Sequence, residues 1–159
     1  MSDEELLELG KNVYGTICAM FEENGYKYQG DDESLTISCS FRGEDLPMDM
    51  RFRVDADRQL VRLTSAMPFD IPEEQRAYLA LAIHSVNLSI VNGHFVYDMD
   101  DGAIIYCVNQ SYIDSILGKE VFNYMLAIAN STVDRYNDLF FMLGKGMITL
   151  DDFLDKMHS

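Results

Sequence analysis

Between Val91 and Asn109 the chain gathers His94, Cys107 and three aspartates, Asp98, Asp100 and Asp101. Residues of these types at this spacing serve two chemistries. A cysteine beside a histidine is the pair of a thiol hydrolase, in which the imidazole takes the thiol proton. Closely spaced carboxylates offer the hard oxygen ligands that a divalent cation takes. An EF-hand loop wants oxygen donors at its first, third and fifth positions, glycine at the sixth and an acid at the twelfth. With Gly102 as the sixth, Tyr97 and Met99 fall on the first and third. With Asp98 as the first, Gly102 is fifth and Asn109 twelfth. Neither placement supplies the ligands.

The thiol reading has its own obstacle. A catalytic thiolate needs positive charge nearby to lower its pKa. This chain carries 27 acidic residues against 12 basic ones, a formal net charge of −15. His84 lies in the middle of a helix and His158 near the chain end, and three histidines so scattered make no zinc set. There is no phosphate-binding loop, dinucleotide glycine pattern, nucleophile elbow or H-E-x-x-H pair. The expectation is a protein with no catalytic residue, no cofactor and no metal. A cysteine hydrolase on Cys107 and His94 stands as the remaining enzymatic alternative.

A hairpin accounts for the same residues. Asp101-Gly102 suits the tip of a two-residue turn, where both positions need positive φ. Met99 then faces Ile104, Tyr97 faces Tyr106 and Phe95 faces Val108, so six large apolar side chains share one face. The opposite face carries His94, Val96, Asp98, Ile105, Cys107 and Asn109, with His94 and Cys107 as diagonal neighbours.

The elements that would position this hairpin are readable from periodicity. Ser2 and Glu5 have the form of a capping box. Leu6, Leu9, Val13, Ile17, Met20 and Phe21 follow at helical spacing, and Gly25 suits a left-handed stop. Period two takes over in LTISCSF, MDMRFRVD and QLVRLTS, joined at RGED and DADR. Pro68 and Pro72 bracket the start of a second helix that runs to about Val91. A long helix spans about Gly118 to Leu143, and Thr149 with Asp152 caps a short final one.

The fold expected is α+β: an antiparallel β-sheet of about five strands with helices packed on it, in the order α-β-β-β-α-β-β-α. One domain covers 1–159, a length that buries enough surface without a metal or disulfide staple. Apolar residues make up 48%, above the range of disordered chains. Three cysteines at wide spacing form no disulfide framework and point to a reducing, cytoplasmic compartment. The acidic N-terminus has no secretory signal, and no run approaches a membrane span. A sequence pI near 4.3 disfavours nucleic acid and anionic lipid as partners. Another protein or peptide segment is the expected partner.

Two surfaces stand out. Five of the 12 basic residues lie between Arg42 and Arg62. Pairing Phe52 with Val61 places Arg51 opposite Arg62, with Arg53 close by. Like charges across strands are unfavourable unless offset. Asp49 and Asp55 are the available offset; otherwise Arg51, Arg53 and Arg62 form a contact for an acidic segment or a small anion. The second surface is the middle helix, whose Tyr78, Leu81, Ala82, Ser85, Leu88 and Ser89 offer more small and apolar surface than its own sheet requires. With the hairpin it is a candidate homodimer surface.

The element order and the stretch SVNLSIVNGHFVYDMDDGAIIYCVN resemble the bacterial YbjN family, described as sensory transduction regulators. The residues matching that family's pattern are Asn87, Gly93, Phe95, Asp98, Asp101, Gly102 and Tyr106. VDRYNDLFFMLGKGMITLDDFL also resembles the helix and tail of some members. The resemblance implies a fold similar to type III secretion chaperones, which are small, acidic, cytoplasmic and usually dimeric. It implies a protein-binding or regulatory role and brings no catalytic residues.

Overall fold

The computed structural model describes residues 1–159. Helix α1, Asp3–Glu23, begins at the expected capping box. The Glu5 backbone N–H donates to Ser2 Oγ at 3.1 Å, and the Ser2 N–H donates to Glu5 Oε2 at 2.7 Å. Gly25 adopts φ +70 just beyond its end. Strands β1 (Gln29–Asp31), β2 (Thr36–Arg42), β3 (Pro47–Asp55) and β4 (Leu60–Asp70) follow. A single 3-10 turn, Glu73–Gln75, leads into α2 (Arg76–Ser89). The hairpin is β5 (His94–Asp98) and β6 (Ala103–Ser111), and the chain closes with α3 (Lys119–Gly144) and α4 (Leu150–Met157).

The six strands form one antiparallel sheet in the order β1-β2-β3-β4-β6-β5. β1 is an edge strand that lacks an apolar alternation, so periodicity does not announce it. β4 runs further than QLVRLTS and contains Pro68, which therefore belongs to a strand and not to the start of the second helix. Proline is tolerated there because the β4–β6 register shifts between Ala66 and Asp70 and no ladder bond needs its missing N–H.

In β2 to β6 alternate residues point into the core. Ile37, Met50, Phe52, Val61, Leu63, Phe95 and Tyr106 are buried with side chains from all four helices in one apolar cluster. Aromatic rings join the layers edge to face. Phe52 on β3 lies 6.0 Å from Phe21 on α1 and 6.4 Å from Phe122 on α3. Phe140 on α3 sits 5.0 Å from Phe95 on β5 and stacks on Phe153 of α4 at 5.6 Å. The middle helix shares this side of the sheet with the first and last. The other side of the sheet carries no helix.

Candidate functional site

The bare face of the sheet is built from the alternate residues that the core does not use. Ser38 and Ser40 on β2, Thr64 and Ala66 on β4 and Ile105 on β6 are small or medium in size. With Tyr28 beside β1 they line an open groove of about 900 Å³. Short side chains between Tyr28 and Ile105 leave a trough over β2, β3 and β4, which Asp49 and Arg51 of β3 also line. The sequence signal for it was the alternation itself, since Thr64 and Ala66 oppose the buried Leu63 and Ser65.

The three arginines lie on this face, in a register two residues from the expected one. Phe52 pairs with Leu63, so Arg53 faces Arg62 directly and Arg51 faces Thr64. A slip of two keeps every side chain on its own face, so the apolar pattern cannot distinguish the two pairings. Neither expected offsetting acid forms an ion pair with these three arginines. Asp49 accepts from Ser40 Oγ at 2.5 Å. Asp55 pairs with Arg58 at 2.9 Å, and Arg58 holds its carboxyl below the ordinary range, with Arg53 the weakest contributor. The only other ion pair within 4.0 Å is Lys119–Glu23. Arg62 donates to Asn109 Oδ1 at 3.3 Å, a neutral partner.

The hairpin also shifts by two. Phe95 pairs with Tyr106, Tyr97 with Ile104 and Asp98 with Ala103, leaving a four-residue loop from Met99 to Gly102. Of Asp101 and Gly102, only Gly102 adopts positive φ, at +78, so the two-residue turn does not form. The acids close the loop on itself. Asp98 accepts from the Asp100 N–H at 2.9 Å and Asp101 from the Ala103 N–H at 2.8 Å. Arg76, which the sequence did not single out, donates to the carbonyls of Ile71, Met99 and Asp100. No group of three or more His, Cys, Asp or Glu side chains gathers in a metal-holding arrangement.

His94 pairs directly with Cys107 across β5 and β6, a closer placement than the diagonal one expected. The thiol is nonetheless unsuited to attack. Cys107 is buried, its Sγ–H points to Asn109 Oδ1 at 3.6 Å, and burial pushes its pKa up against the weaker pull of Arg62. Burial also pushes Cys39 up to about 12, with Asp49 adding to the effect. Iodoacetamide near neutral pH is expected to label the half-buried Cys18 first, and Cys39 and Cys107 only after denaturant is added. Peptide mass spectrometry would show the order; native labelling of Cys107 ahead of Cys18 would revive the hydrolase.

The seven residues of the family pattern form one structural unit. Asn87 on α2 clasps the outer edge of β5: its Nδ2 donates to the Phe95 carbonyl at 3.0 Å and its Oδ1 accepts from the Phe95 N–H at 2.8 Å. Gly93, at φ +74, lets the Tyr106 ring pass against the backbone, and Tyr106 donates to the Asn92 carbonyl at 2.8 Å. Phe95 and Tyr106 meet edge to face at 5.3 Å. Asp98, Asp101 and Gly102 shape the loop.

A model of the family "Putative bacterial sensory transduction regulator", YbjN, matches residues 14–142. The chain belongs to the YbjN family. Its fold is similar to that of YbjN from E. coli, with a TM-score of 0.58 and 12% identity over 76% of this chain and 85% of that one. It is also similar to a chain of the ExsC–ExsE complex, with TM-score 0.55, 18% identity and coverage of 83% and 96%. A chain of the HopA1–SchA chaperone–effector complex gives 0.50, 15%, 80% and 91%. No curated protein matches the sequence. The α+β, secretion chaperone-like fold expected of this YbjN-family chain is the fold observed, with a sixth strand added. No helix is long and apolar enough to cross a membrane.

On α2 of this YbjN-family chain the candidate dimer surface divides. Ala82 is fully buried among Leu79, Ile83 and Val86, so it belongs to the core and not to a contact surface. Tyr78, Leu81 and Leu88 are exposed, Leu81 at 57% and Leu88 at 75%. Ser85 is half-buried and Ser89 exposed. The outward stripe is therefore 78, 81, 85 and 88.

Proposed function

We propose that this chain is a non-enzymatic protein-binding module, cytoplasmic and homodimeric, that holds an extended segment of another protein against the bare face of its single domain's sheet. The observation that carries the reading is the asymmetry of the sheet: four helices fill one side, and the other presents an open groove of about 900 Å³. Ala66 and Ile105, paired across β4 and β6 in that groove, are covered by no helix on that side. Holding a segment fits both a chaperone-like and a regulatory role, because a held segment is withdrawn from its other contacts. Groove binding is favoured over strand addition, since Asn87 already occupies the free backbone groups of Phe95 at one sheet edge and β1 at the other is three residues long. A photo-crosslinker placed at Ala66 is expected to capture a discrete protein from cell extract, and one placed at Glu8 on α1 none. Repeated capture of nothing from Ala66 would overturn the reading.

The dimer would form through α2. Tyr78, Leu81, Ser85 and Leu88 recur at three and four, the spacing at which two helices interdigitate, and a two-fold axis would place the same stripe on itself. Leu81→Glu should convert a dimer mass in light scattering at tens of micromolar to a monomer mass with the fold unchanged. A monomer mass for the unaltered chain would remove the dimer. The second reading, a small-anion sensor on Arg51, Arg53 and Arg62, is favoured by the lack of carboxylate partners for those side chains, and the two are separated below.

A further inference from the structure

The arginine cluster is anomalous for its surroundings. A chain of net charge −15 sets Arg53 directly across from Arg62 and Arg51 one step along β3, all three exposed. Directly opposed Cβ atoms lie about 5 Å apart, a distance at which like charges repel. On the same face Asp55 is ion-paired with Arg58, and Asp49, which accepts from the neutral Ser40 Oγ, forms no ion pair with any of the three arginines. No ion pair within 4.0 Å offsets this arrangement. A ligand that brings its own negative charge does.

We infer that Arg51, Arg53 and Arg62 recognise acidic side chains of an extended peptide whose adjoining small or apolar residues lie in the groove beside them. The inference rests on the protein-binding reading and names the chemistry of its partner. Arg51 lines the groove, which makes the charged site and the trough continuous. Along β3, Arg51 and Arg53 stand about 6.8 Å apart, the repeat of alternate side chains in any extended chain. A peptide laid along the strand therefore presents its alternate carboxylates at the same interval. Openness argues for a peptide over a small anion. An exposed guanidinium–carboxylate pair contributes little by itself, so a lone anion is weakly held on an open face. A peptide joins several such pairs to contacts in the trough, and each contact raises the local concentration for the next.

Three fluorescein-labelled decapeptides, titrated by anisotropy, test this. The first alternates glutamate with serine over its first half and alanine or valine with serine over its second, the second is its glutamine counterpart and the third its lysine counterpart. The glutamate peptide should bind at least tenfold more tightly than either counterpart, and more weakly as salt rises. Arg53→Gln/Arg62→Gln should lose at least tenfold for the glutamate peptide only. Both side chains are exposed, and circular dichroism checks that the variant is folded. Equal affinity for the glutamate and glutamine peptides, or no binding of either, overturns the inference whatever the variant does. Inorganic phosphate that raises the melting temperature, and displaces the glutamate peptide at equal concentration, overturns it in favour of a small-anion site. Capture of a protein at Ala66 alongside failed peptide titrations would leave the binding module standing and remove the arginine recognition alone.

Discussion

Gly102→Ala is expected to destabilise the fold by about 3 kcal/mol, from the left-handed backbone together with the crowding a Cβ creates. Gly102 sits at φ +78. An added Cβ would press on the Ile71 carbonyl oxygen and stand 2.7 Å from the Ile71 nitrogen. These are backbone atoms, and they are fixed by the loop itself, because the Ile71 N–H donates to the Gly102 carbonyl at 2.9 Å. No rotamer change relieves the contact. In a chain of this length the melting temperature should fall by roughly 6–12 °C. Gly25→Ala is the control: φ is +70, but nothing lies within 4 Å of the added carbon. It should lose only the backbone contribution, about 1 kcal/mol. Equal losses in the two variants would mean that the hairpin loop does not dock on Ile71 as described.

Asn87→Ala should be the next most damaging change, at about 2 kcal/mol, since it deletes two hydrogen bonds and leaves the Phe95 N–H and C=O half-buried without partners. Urea midpoints give the loss, and hydrogen exchange at the Phe95 amide should rise with it. Asn87→Asp separates the two bonds. The new carboxylate still accepts from the Phe95 N–H but faces the Phe95 carbonyl oxygen, so its folded pKa is raised. A raised carboxylate pKa makes the deficit greatest above the folded value, and the deficit shrinks as pH falls from there toward the ordinary aspartate value of about 3.9. A deficit that grows toward acid pH would contradict the clasp.

The sequence carried the elements whose signals are local. Ser2 with Glu5 and Thr149 with Asp152 form the capping boxes that their spacing announced. The alternation in β2 and β3 identified the buried residues of those strands. What escaped were quantities that alternation does not encode. Register slipped by two at Arg53–Arg62 and again at Phe95–Tyr106, because period two repeats after two residues. β1 has no apolar residue to reveal it. Ala82 looks like surface in a list of small residues, yet it falls between Leu79 and Ile83 on the buried side of a helical turn. The candidate surfaces were half legible: Arg51, Arg53 and Arg62 stood out by charge, whereas the groove beside them is lined by ordinary serine, threonine and alanine whose meaning depends on what does not cover them. Arg76 was invisible because its three acceptors are carbonyls of residues up to 24 positions away.

The unclothed side of the sheet has an evolutionary consequence. Each strand is written in two interleaved alphabets, one spelling the interior and the other spelling only that outer side. Substitutions in the second alphabet leave core packing untouched, so the chemistry of that outer side can vary while the fold persists.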